Sequence, residues 1–341
     1  MKLMILDKGA IAPMVSALRA DYRVIGPQAR GPQFAFGLIT DPAQLRLDYN
    51  TTILPPKKVL QPQQERLASF NRRERRVEPV IEAAPVVLLG VHTCDLHAFQ
   101  LLDKAFSADY PDAHYLERRR QTVIISLECL EPCDEHSFCK SMGTLTADTG
   151  YDLHLTDLGA AYAVDVATET GRQILTRYAT VREANEADVR RLNEVLSAKW
   201  PRFTYRLDFD AASLPALLST AYHHPVWEEL GERCLACGSC TNVCPTCYCF
   251  NVFDEVDMQL TEGTRWRCWD SCQLDEFARV AGGENFRHAR AARQRHRFMR
   301  KGKYLYERFG ELGCVGCGRC IRACVAKISI VDGFNAIHRS A

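Results

Sequence analysis

The distribution of hydrophobic and polar positions predicts an α/β fold for the N-terminal part of the chain. Residues 85–91 and 122–127 are continuous apolar runs of the length expected for buried strands. Between them, apolar residues recur at helical spacing over residues 95–106, which predicts a helix. Asp95 falls in the first turn of that helix, where we expect it to act as a cap and not as a metal ligand.

Two further patterns complete this part of the chain. Residues 151–176 alternate short apolar and polar stretches, which indicates strands joined by turns. Residues 183–200 place valines and leucines on one helical face, which predicts an amphipathic helix. We therefore expect an α/β domain over residues 1–215.

The C-terminal part has a different pattern, in which predicted helices flank cysteine-rich loops. Helical segments are predicted over residues 214–222 and 225–233, and a long basic helix is predicted to end near residue 309. A short apolar strand is predicted over residues 327–331. Because the insert between the cysteine runs is long and predominantly helical in pattern, we expect an α-helical, ferredoxin-like dicluster domain over residues 216–341.

Two runs of four cysteines share the spacing C-x2-C-x2-C-x3-C, which is typical of cubane [4Fe–4S] clusters. In each run three thiolates bind one cluster and the fourth binds the other, so two runs predict two clusters with crossed ligands. The predicted ligands of cluster 1 are Cys234, Cys237, Cys240 and Cys324. The predicted ligands of cluster 2 are Cys314, Cys317, Cys320 and Cys244. Such clusters transfer single electrons, so the runs predict an electron carrier.

Charge and cysteine content indicate which partners and which cellular compartment to expect for this carrier. The chain has 341 residues, with 43 basic and 42 acidic side chains, a balance that gives no reason to expect nucleic acid or an anionic membrane as a partner. The first residues lack the pattern of a secretory signal, and no apolar run is long enough to span a membrane. The 16 cysteines are therefore expected to bind metal in a reducing cytoplasm rather than to form disulfides.

A second group of four cysteines follows the two predicted strands of the N-terminal domain. These are Cys94, Cys129, Cys133 and Cys139. Loops after the carboxyl ends of neighbouring strands lie side by side, so these thiols could surround a third [4Fe–4S] cluster. A zinc ion and unliganded buried thiols are the alternatives. Asp95 or a nearby histidine could replace one of the thiolates.

The last four cysteines match no familiar ligand spacing. They are Cys247, Cys249, Cys268 and Cys272. We expect them to pack beside a cluster rather than to form a fourth metal site. The chain also lacks dinucleotide-binding, P-loop, hydrolase-elbow and zincin motifs. The sequence therefore indicates no flavin or nucleotide site and no catalytic centre.

A basic stretch separates the two cysteine runs. Residues 286–303 contain eight arginines and lysines and no acidic residue. Positive charge at helical spacing would offset the negative charge of the clusters and raise their reduction potentials. The alternatives are a docking face for an acidic partner, a nucleic-acid contact and an ordinary solvated helix face. The neutral total charge argues against nucleic acid.

Six short stretches, in this order along the chain, resemble a known family. They are GVHTCDLHA at residues 90–98, FCKSMG at 138–143, CPTCYCF at 244–250, WDSC at 269–272, GGENFR at 282–287 and CVGCGRCIR at 314–322. The family comprises the iron–sulfur β subunit of soluble sulfhydrogenases, which are NAD(P)-linked [NiFe] hydrogenases able to reduce sulfur, and the related A subunit of anaerobic sulfite reductase. The chain departs from the family pattern at Thr93, Ser137 and Val325, where proline, cysteine and proline are expected. Cys133 is then the candidate to replace the thiolate missing at Ser137.

The resemblance implies a role within a larger complex. In the family, this subunit relays electrons between a flavin- and NAD(P)-binding subunit and a catalytic subunit of the hydrogenase or sulfite reductase type. We therefore expect an electron-transfer subunit of a cytoplasmic, heteromultimeric oxidoreductase. The alternatives are a subunit that itself reduces sulfur or polysulfide at an exposed cluster or thiol, and an iron–sulfur redox sensor.

Overall fold

The computed structural model describes residues 3–340 and contains two β-sheets. The strands are β1 Met4–Asp7, β2 Arg23–Arg30, β3 Gln33–Leu38, β4 Gln64–Asn71, β5 Arg76–Pro79, β6 Val86–His92, β7 Thr122–Leu127, β8 Leu153–Asp157, β9 Ala161–Val166, β10 Arg182–Glu183, β11 Phe250–Val256 and β12 Glu262–Trp269. The α-helices are α1 Ile11–Leu18, α2 Thr93–Ser107, α3 Ala113–Arg120, α4 Glu169–Tyr178, α5 Glu186–Ala198, α6 Leu214–Thr220, α7 Val226–Arg233, α8 Ser239–Asn242, α9 Arg290–Met299, α10 Leu305–Phe309, α11 Arg319–Arg322 and α12 Ile330–Arg339.

The larger sheet has eight strands in the order β10-β1-β9-β8-β7-β6-β2-β3. Its centre, β2-β6-β7-β8, is parallel, and the outer strands pair antiparallel. Every residue of β6 and β7 is buried, as expected for parallel strands covered on both faces. The α/β prediction and both predicted strands are therefore confirmed for this part of the chain.

The helix predictions for the N-terminal part are largely confirmed. The predicted helix over residues 95–106 is α2, which begins at Thr93 directly after β6. The predicted helix over residues 183–200 is α5, which is shorter because Asn185 caps its first turn. Residues 151–176 form β8 and β9 as predicted, but their last part is helical. There Thr168 accepts a hydrogen bond from the Gly171 N–H and starts α4.

The second sheet has four antiparallel strands in the order β11-β12-β4-β5. It joins a hairpin from between the two cysteine runs to strands from the N-terminal part of the chain. The insert is therefore not wholly helical, and the helical description of the C-terminal part was wrong here. Phe250, Val252 and Val256 occupy alternate positions along β11, as strand residues facing one side do. The strand nevertheless lies at the edge of the sheet and is mostly exposed.

A buried charge network joins this sheet to helix α3. The Arg267 Nε on β12 donates to the Glu65 Oε1 at 2.9 Å, and the Arg118 guanidinium binds the other oxygen of Glu65. Arg267 also binds Asp112 at the start of α3. The side chains of Glu65 and Arg267 are 3% and 6% exposed, so removing either leaves a buried charge unpaired.

The C-terminal helices pack around the cysteine loops. Helices α6 and α7 confirm the predicted segments, and the basic stretch forms α9, a π-helical turn at Arg300–Tyr304, and α10. The predicted strand over residues 327–331 is wrong. Ser329 caps a helix instead, and apolar residues that include Phe334 and Ile337 form the buried face of α12. No helix among residues 3–340 is long and apolar enough to cross a bilayer.

Candidate metal centres

The two cysteine runs form two separate loops with the same backbone conformation. Ala236 and Gly316, each two residues after the first cysteine of its run, have φ of 53° and 66°. Gly238 and Gly318, each directly after the second cysteine, have φ of 76° and 70° and begin the one-turn helices α8 and α11. These left-handed residues turn the backbone so that the three closely spaced thiols can face one point.

The four predicted ligands of cluster 1 line a single pocket. They are Cys234, Cys237, Cys240 and Cys324. The Ala236 N–H points to the Cys234 sulfur at 3.3 Å, and the Gln294 Nε2 donates to the same sulfur at 2.8 Å. Hydrogen bonds of this kind stabilise thiolates, as metal-bound sulfur requires. The Cys237 side chain is exposed, so this pocket reaches the protein surface.

The predicted ligands of cluster 2 also come together, deeper in the protein. Burial raises the pKa of Cys314, and Cys320, Cys244 and Cys317 lie within electrostatic range and raise it further. Cys244 belongs to the first run, so the structure brings a cysteine of the first run close to the thiols of the second. The Thr246 hydroxyl lies 3.3 Å from the Cys244 sulfur and 2.5 Å from the Lys301 ammonium.

Buried cations lie between these two groups of thiols. Arg297 and Lys301 on consecutive turns are 4% exposed each, so the basic stretch is not an ordinary solvated face. Burial disfavours the charged form of Arg297, but the thiolates of Cys240 and Cys320 outweigh it and keep the arginine pKa above its usual value. The Arg297 Nη2 has no hydrogen-bond partner within residues 3–340. The other terminal nitrogen contacts the Gln294 Oε1 at 3.4 Å. A buried guanidinium nitrogen without a partner among thiols fits a site that holds anionic iron–sulfur clusters.

The third group of cysteines lies at the carboxyl ends of β6 and β7. Cys94 is in the first turn of α2, and Cys129, Cys133 and Cys139 follow β7. Burial raises the pKa of Cys129 well above its usual value, and Cys133 and Cys139 raise it further, so these three thiols lie near one another. Burial likewise raises the pKa of Cys133 to about 11 and of Cys139 to about 12. Thiols this hard to ionise need a bound metal to become thiolates.

Side chains around this group decide which ligands it can offer. His92 stacks on Tyr49 with ring centroids 4.2 Å apart, and its Nδ1 lies 3.9 Å from the Cys133 sulfur. Burial lowers the pKa of His92 to about 3, so the ring is neutral. Ser137 donates its hydroxyl proton to Asp134 at 3.2 Å. Cys133 therefore lies near the other thiols, whereas the Ser137 hydroxyl is hydrogen-bonded to Asp134.

The loop of the second run packs directly on this third group. The Phe138 N–H donates to the Gly316 oxygen at 2.8 Å, and the Thr144 hydroxyl donates to the Val315 oxygen at 2.6 Å. A Cβ on Gly316 would lie 2.5 Å from the Cys139 Cα, so only glycine allows this approach. Cys317 is within electrostatic range of Cys94, Cys133 and Cys139. The three groups of thiols therefore form a continuous series.

Asp95 does not have the capping role predicted for it. The N-cap position of α2 is His92, and Asp95 lies inside the first turn with its carboxylate turned to Arg319. Two hydrogen bonds of 2.7 Å each join the carboxylate to the guanidinium of Arg319, which belongs to the second cysteine run. The side chains are 0% and 2% exposed. This pair was missed because nothing in the sequence relates residues separated by 224 positions.

Among residues 3–340, no three His, Cys, Asp or Glu side chains are placed to bind one metal ion together. A cubane differs from zinc in this respect, because each of its four thiolates binds a different iron atom. The donor set, which consists of buried thiols with cations and N–H groups around them, therefore fits iron–sulfur clusters better than mononuclear sites.

The remaining cysteines lie beside the first two groups. Cys247 forms a hydrogen bond with Cys244, and Cys249 forms one with Cys272. Lys57, also unnoticed in the sequence, is buried there, donates to the Cys247 oxygen and lies 4.4 Å from the Trp269 ring centroid. Its only sequence signal was its place in a basic pair after two prolines, which does not distinguish a buried lysine from an exposed one.

Comparison with known proteins agrees with these features. A family profile described as a 4Fe-4S dicluster domain matches residues 233–328, so the chain has a domain for at least two iron–sulfur clusters. No solved structure matches the chain. Among curated proteins, the chain is 36% identical over 317 residues to sulfhydrogenase 2 subunit beta of Pyrococcus furiosus, and the match covers 92% of each chain. This chain therefore belongs to the sulfhydrogenase beta subunit family.

Proposed function

We propose that this protein is the electron-transfer subunit of a cytoplasmic, heteromultimeric oxidoreductase. When bound, [4Fe–4S] clusters supply one-electron transfer. The main observation that supports this proposal is the continuous series of thiol groups, from the third group through the second to the first. This series supports a path along the chain rather than isolated structural metal sites.

The proposed ligands follow from this arrangement. Cluster 1 is held by Cys234, Cys237, Cys240 and Cys324. Cluster 2 is held by Cys314, Cys317, Cys320 and Cys244. Cluster 3 is held by Cys94, Cys129, Cys133 and Cys139. The chain's own residues exclude water from the inner groups and donate hydrogen bonds to thiolates, and the buried Arg297 and Lys301 offset negative charge.

The exposed end of the series supports transfer to a partner. Leu235 and Val325 line the first pocket and are 61% and 73% exposed, beside the exposed Cys237. Apolar side chains around an exposed cluster ligand suit a protein contact that excludes water. We propose a flavin- and NAD(P)-binding subunit and a catalytic subunit, of the hydrogenase or sulfite reductase type, as the partners in the complex.

Iron and sulfide analysis of the anaerobically purified chain tests the proposal. Three clusters predict about twelve irons and twelve sulfides per chain, and two predict about eight. Stepwise reduction followed by electron paramagnetic resonance is expected to show interacting one-electron centres. Two irons or fewer per chain, with no such signal, would rule out the electron path.

A cysteine variant tests the third cluster separately. Cys129→Ala is expected to reduce the iron content by about four per chain. Cys268→Ala is the matched control, because Cys268 lies on β12 outside all three groups, and it should leave the iron content unchanged. Equal iron in both variants would remove the third cluster from the proposal while leaving the first two.

The partners are tested by isolating the native complex. Anaerobic purification of the chain through an affinity tag, followed by mass spectrometry, is expected to recover a flavin-binding subunit and a catalytic oxidoreductase subunit in fixed ratio. Recovery of the chain alone, fully loaded with iron and active only as a soluble carrier, would contradict the multisubunit role.

A further inference from the structure

Two cysteines outside the three thiol groups meet at the open end of the hairpin. Cys249 directly precedes β11 and Cys272 follows β12, and Phe250 pairs with Trp269 between them. The Asp270 N–H donates to the Cys249 oxygen at 3.0 Å, which extends the ladder toward Cys272. The two thiols are hydrogen-bonded to each other. The hairpin therefore holds the two backbones near each other, with the thiols as neighbours.

The two thiols differ in access and in hydrogen bonding. Cys249 is partly exposed, whereas Cys272 is 3% exposed. The Cys249 sulfur accepts hydrogen bonds from the thiol and from the backbone N–H of Cys272. Cys272 in turn is contacted by the Gln273 Nε2 at 3.5 Å. Cys249 is therefore the more accessible residue of the pair.

The surrounding charges favour the thiolate of the accessible cysteine. The hydrogen bond from Cys272 and the nearby Arg300 and Lys301 outweigh burial and lower the pKa of Cys249 to about 6. The Arg300 guanidinium is held 4.5 Å from the centre of the Tyr248 ring, next to Cys249 in the chain. The thiolate is the reactive form in exchange with disulfides. Of the two thiols, Cys249 is therefore better suited to attack a disulfide, and Cys272 is placed to resolve the product.

Other functions for this pair have less support. A metal site would need a third ligand, and the part of the chain that the structure describes places no three His, Cys, Asp or Glu side chains together for one ion. Cys247 is engaged with Cys244. Cys268 lies opposite Asn251 within the hairpin. The pair is left as two neighbouring thiols, and the chemistry open to two such thiols is oxidation to a disulfide.

We propose that Cys249 and Cys272 form a reversible disulfide by exchange with a small dissolved disulfide. The Cys249 thiolate attacks one sulfur of the disulfide R–S–S–R, forming a Cys249–S–S–R bond and releasing one RS⁻. Cys272 then loses its proton to water and attacks the Cys249 sulfur, which forms the Cys249–Cys272 bond and releases the second RS⁻. The two thiols lose two electrons, and the dissolved disulfide gains them. This proposal does not depend on the electron-transfer function.

Mass spectrometry of the full-length, iron-loaded chain tests the proposal. The protein is equilibrated anaerobically with glutathione and glutathione disulfide at a series of ratios, quenched with acid, alkylated and digested. Trypsin cuts at Arg265 and Arg267, so a bond between the two cysteines joins separate peptides. We expect the Cys249–Cys272 linkage to increase with the disulfide ratio and to disappear with excess glutathione. Iron is measured in the same samples.

Variants distinguish the two roles. Cys272→Ser is expected to accumulate a Cys249–glutathione adduct, and Cys249→Ser to give about tenfold less adduct at Cys272. Cys268→Ser is the matched control and should keep the wild-type linkage. The proposal is overturned if the wild-type pair stays reduced at every ratio, if Cys249 bonds to another cysteine, or if linkage forms only after iron is released.

Discussion

The buried pair between Asp95 and Arg319 allows a quantitative test of how the second cysteine run is held to the larger sheet. Asp95→Asn keeps the shape of the side chain but leaves Arg319 charged and unpaired at 2% exposure. Breaking a buried pair by removing one partner costs about 3–5 kcal/mol. In the iron-loaded protein the Cys94 and Cys317 thiolates would supply part of the lost counter-charge. We therefore expect a loss near the lower end of that range.

The assay is anaerobic urea unfolding of the iron-loaded protein, followed by tryptophan fluorescence. Asp254→Asn is the matched control, because Asp254 and Arg265 form the same two-bond arrangement at 2.8 Å with side chains 37% and 54% exposed. An exposed pair contributes about 0.2–1 kcal/mol. If Asp95→Asn lowers the free energy of unfolding no more than Asp254→Asn does, burial of the pair does not govern its contribution.

Three further outcomes follow from the described contacts. Lys301→Met removes a buried cation beside Cys244. In an electron paramagnetic resonance titration it should lower a cluster reduction potential by on the order of tens of millivolts. Lys303→Met is the control and should change the potential little, because Lys303 is partly exposed. Gly316→Ala should destabilise the chain more in urea than Gly310→Ala; both glycines have positive φ, but only a Cβ on Gly316 meets backbone, and equal losses would contradict that contact. Burial and nearby arginines lower the pKa of His296 from 6.5 to about 4. The unfolded chain therefore binds the proton first, and stability falls as pH decreases through this interval. His296→Gln should make the unfolding midpoint less pH-dependent there, and an unchanged slope would contradict the shift.

Local patterns were sufficient to predict the elements whose burial is set by their own sequence. The apolar runs that became β6 and β7 are buried on both faces, and the first cysteine run carries its loop geometry in its own spacing. The same reasoning missed the hairpin, because β12 is stabilised by its pairing with β4, far away in sequence. It also assigned Asp95 to a cap, because its true partner, Arg319, is brought near only by the fold.

The basic stretch also shows that local patterns do not determine which side of an element is buried. Its spacing correctly placed several cations on one side of a helix, but spacing alone does not tell whether that side faces water or thiols. The π-helical turn at Arg300–Tyr304 then rotates the chain, and Lys301 is directed inward to Thr246. Such a turn has no residue signature comparable to a proline or a capping serine, so only the folded chain reveals it.

The sheet shared between distant parts of the chain has a consequence for how the protein is made. Strand β12 and the ion pair of Arg267 with Glu65 bring together residues separated by 202 positions. The N-terminal strands leave the ribosome first, but their edge can be completed only when the hairpin has been synthesised. The second cysteine run, which lies on the third group of thiols, is synthesised later still. Iron insertion is therefore expected to come after synthesis of nearly the whole chain, and chains truncated before the hairpin should be substrates for proteolysis rather than stable intermediates.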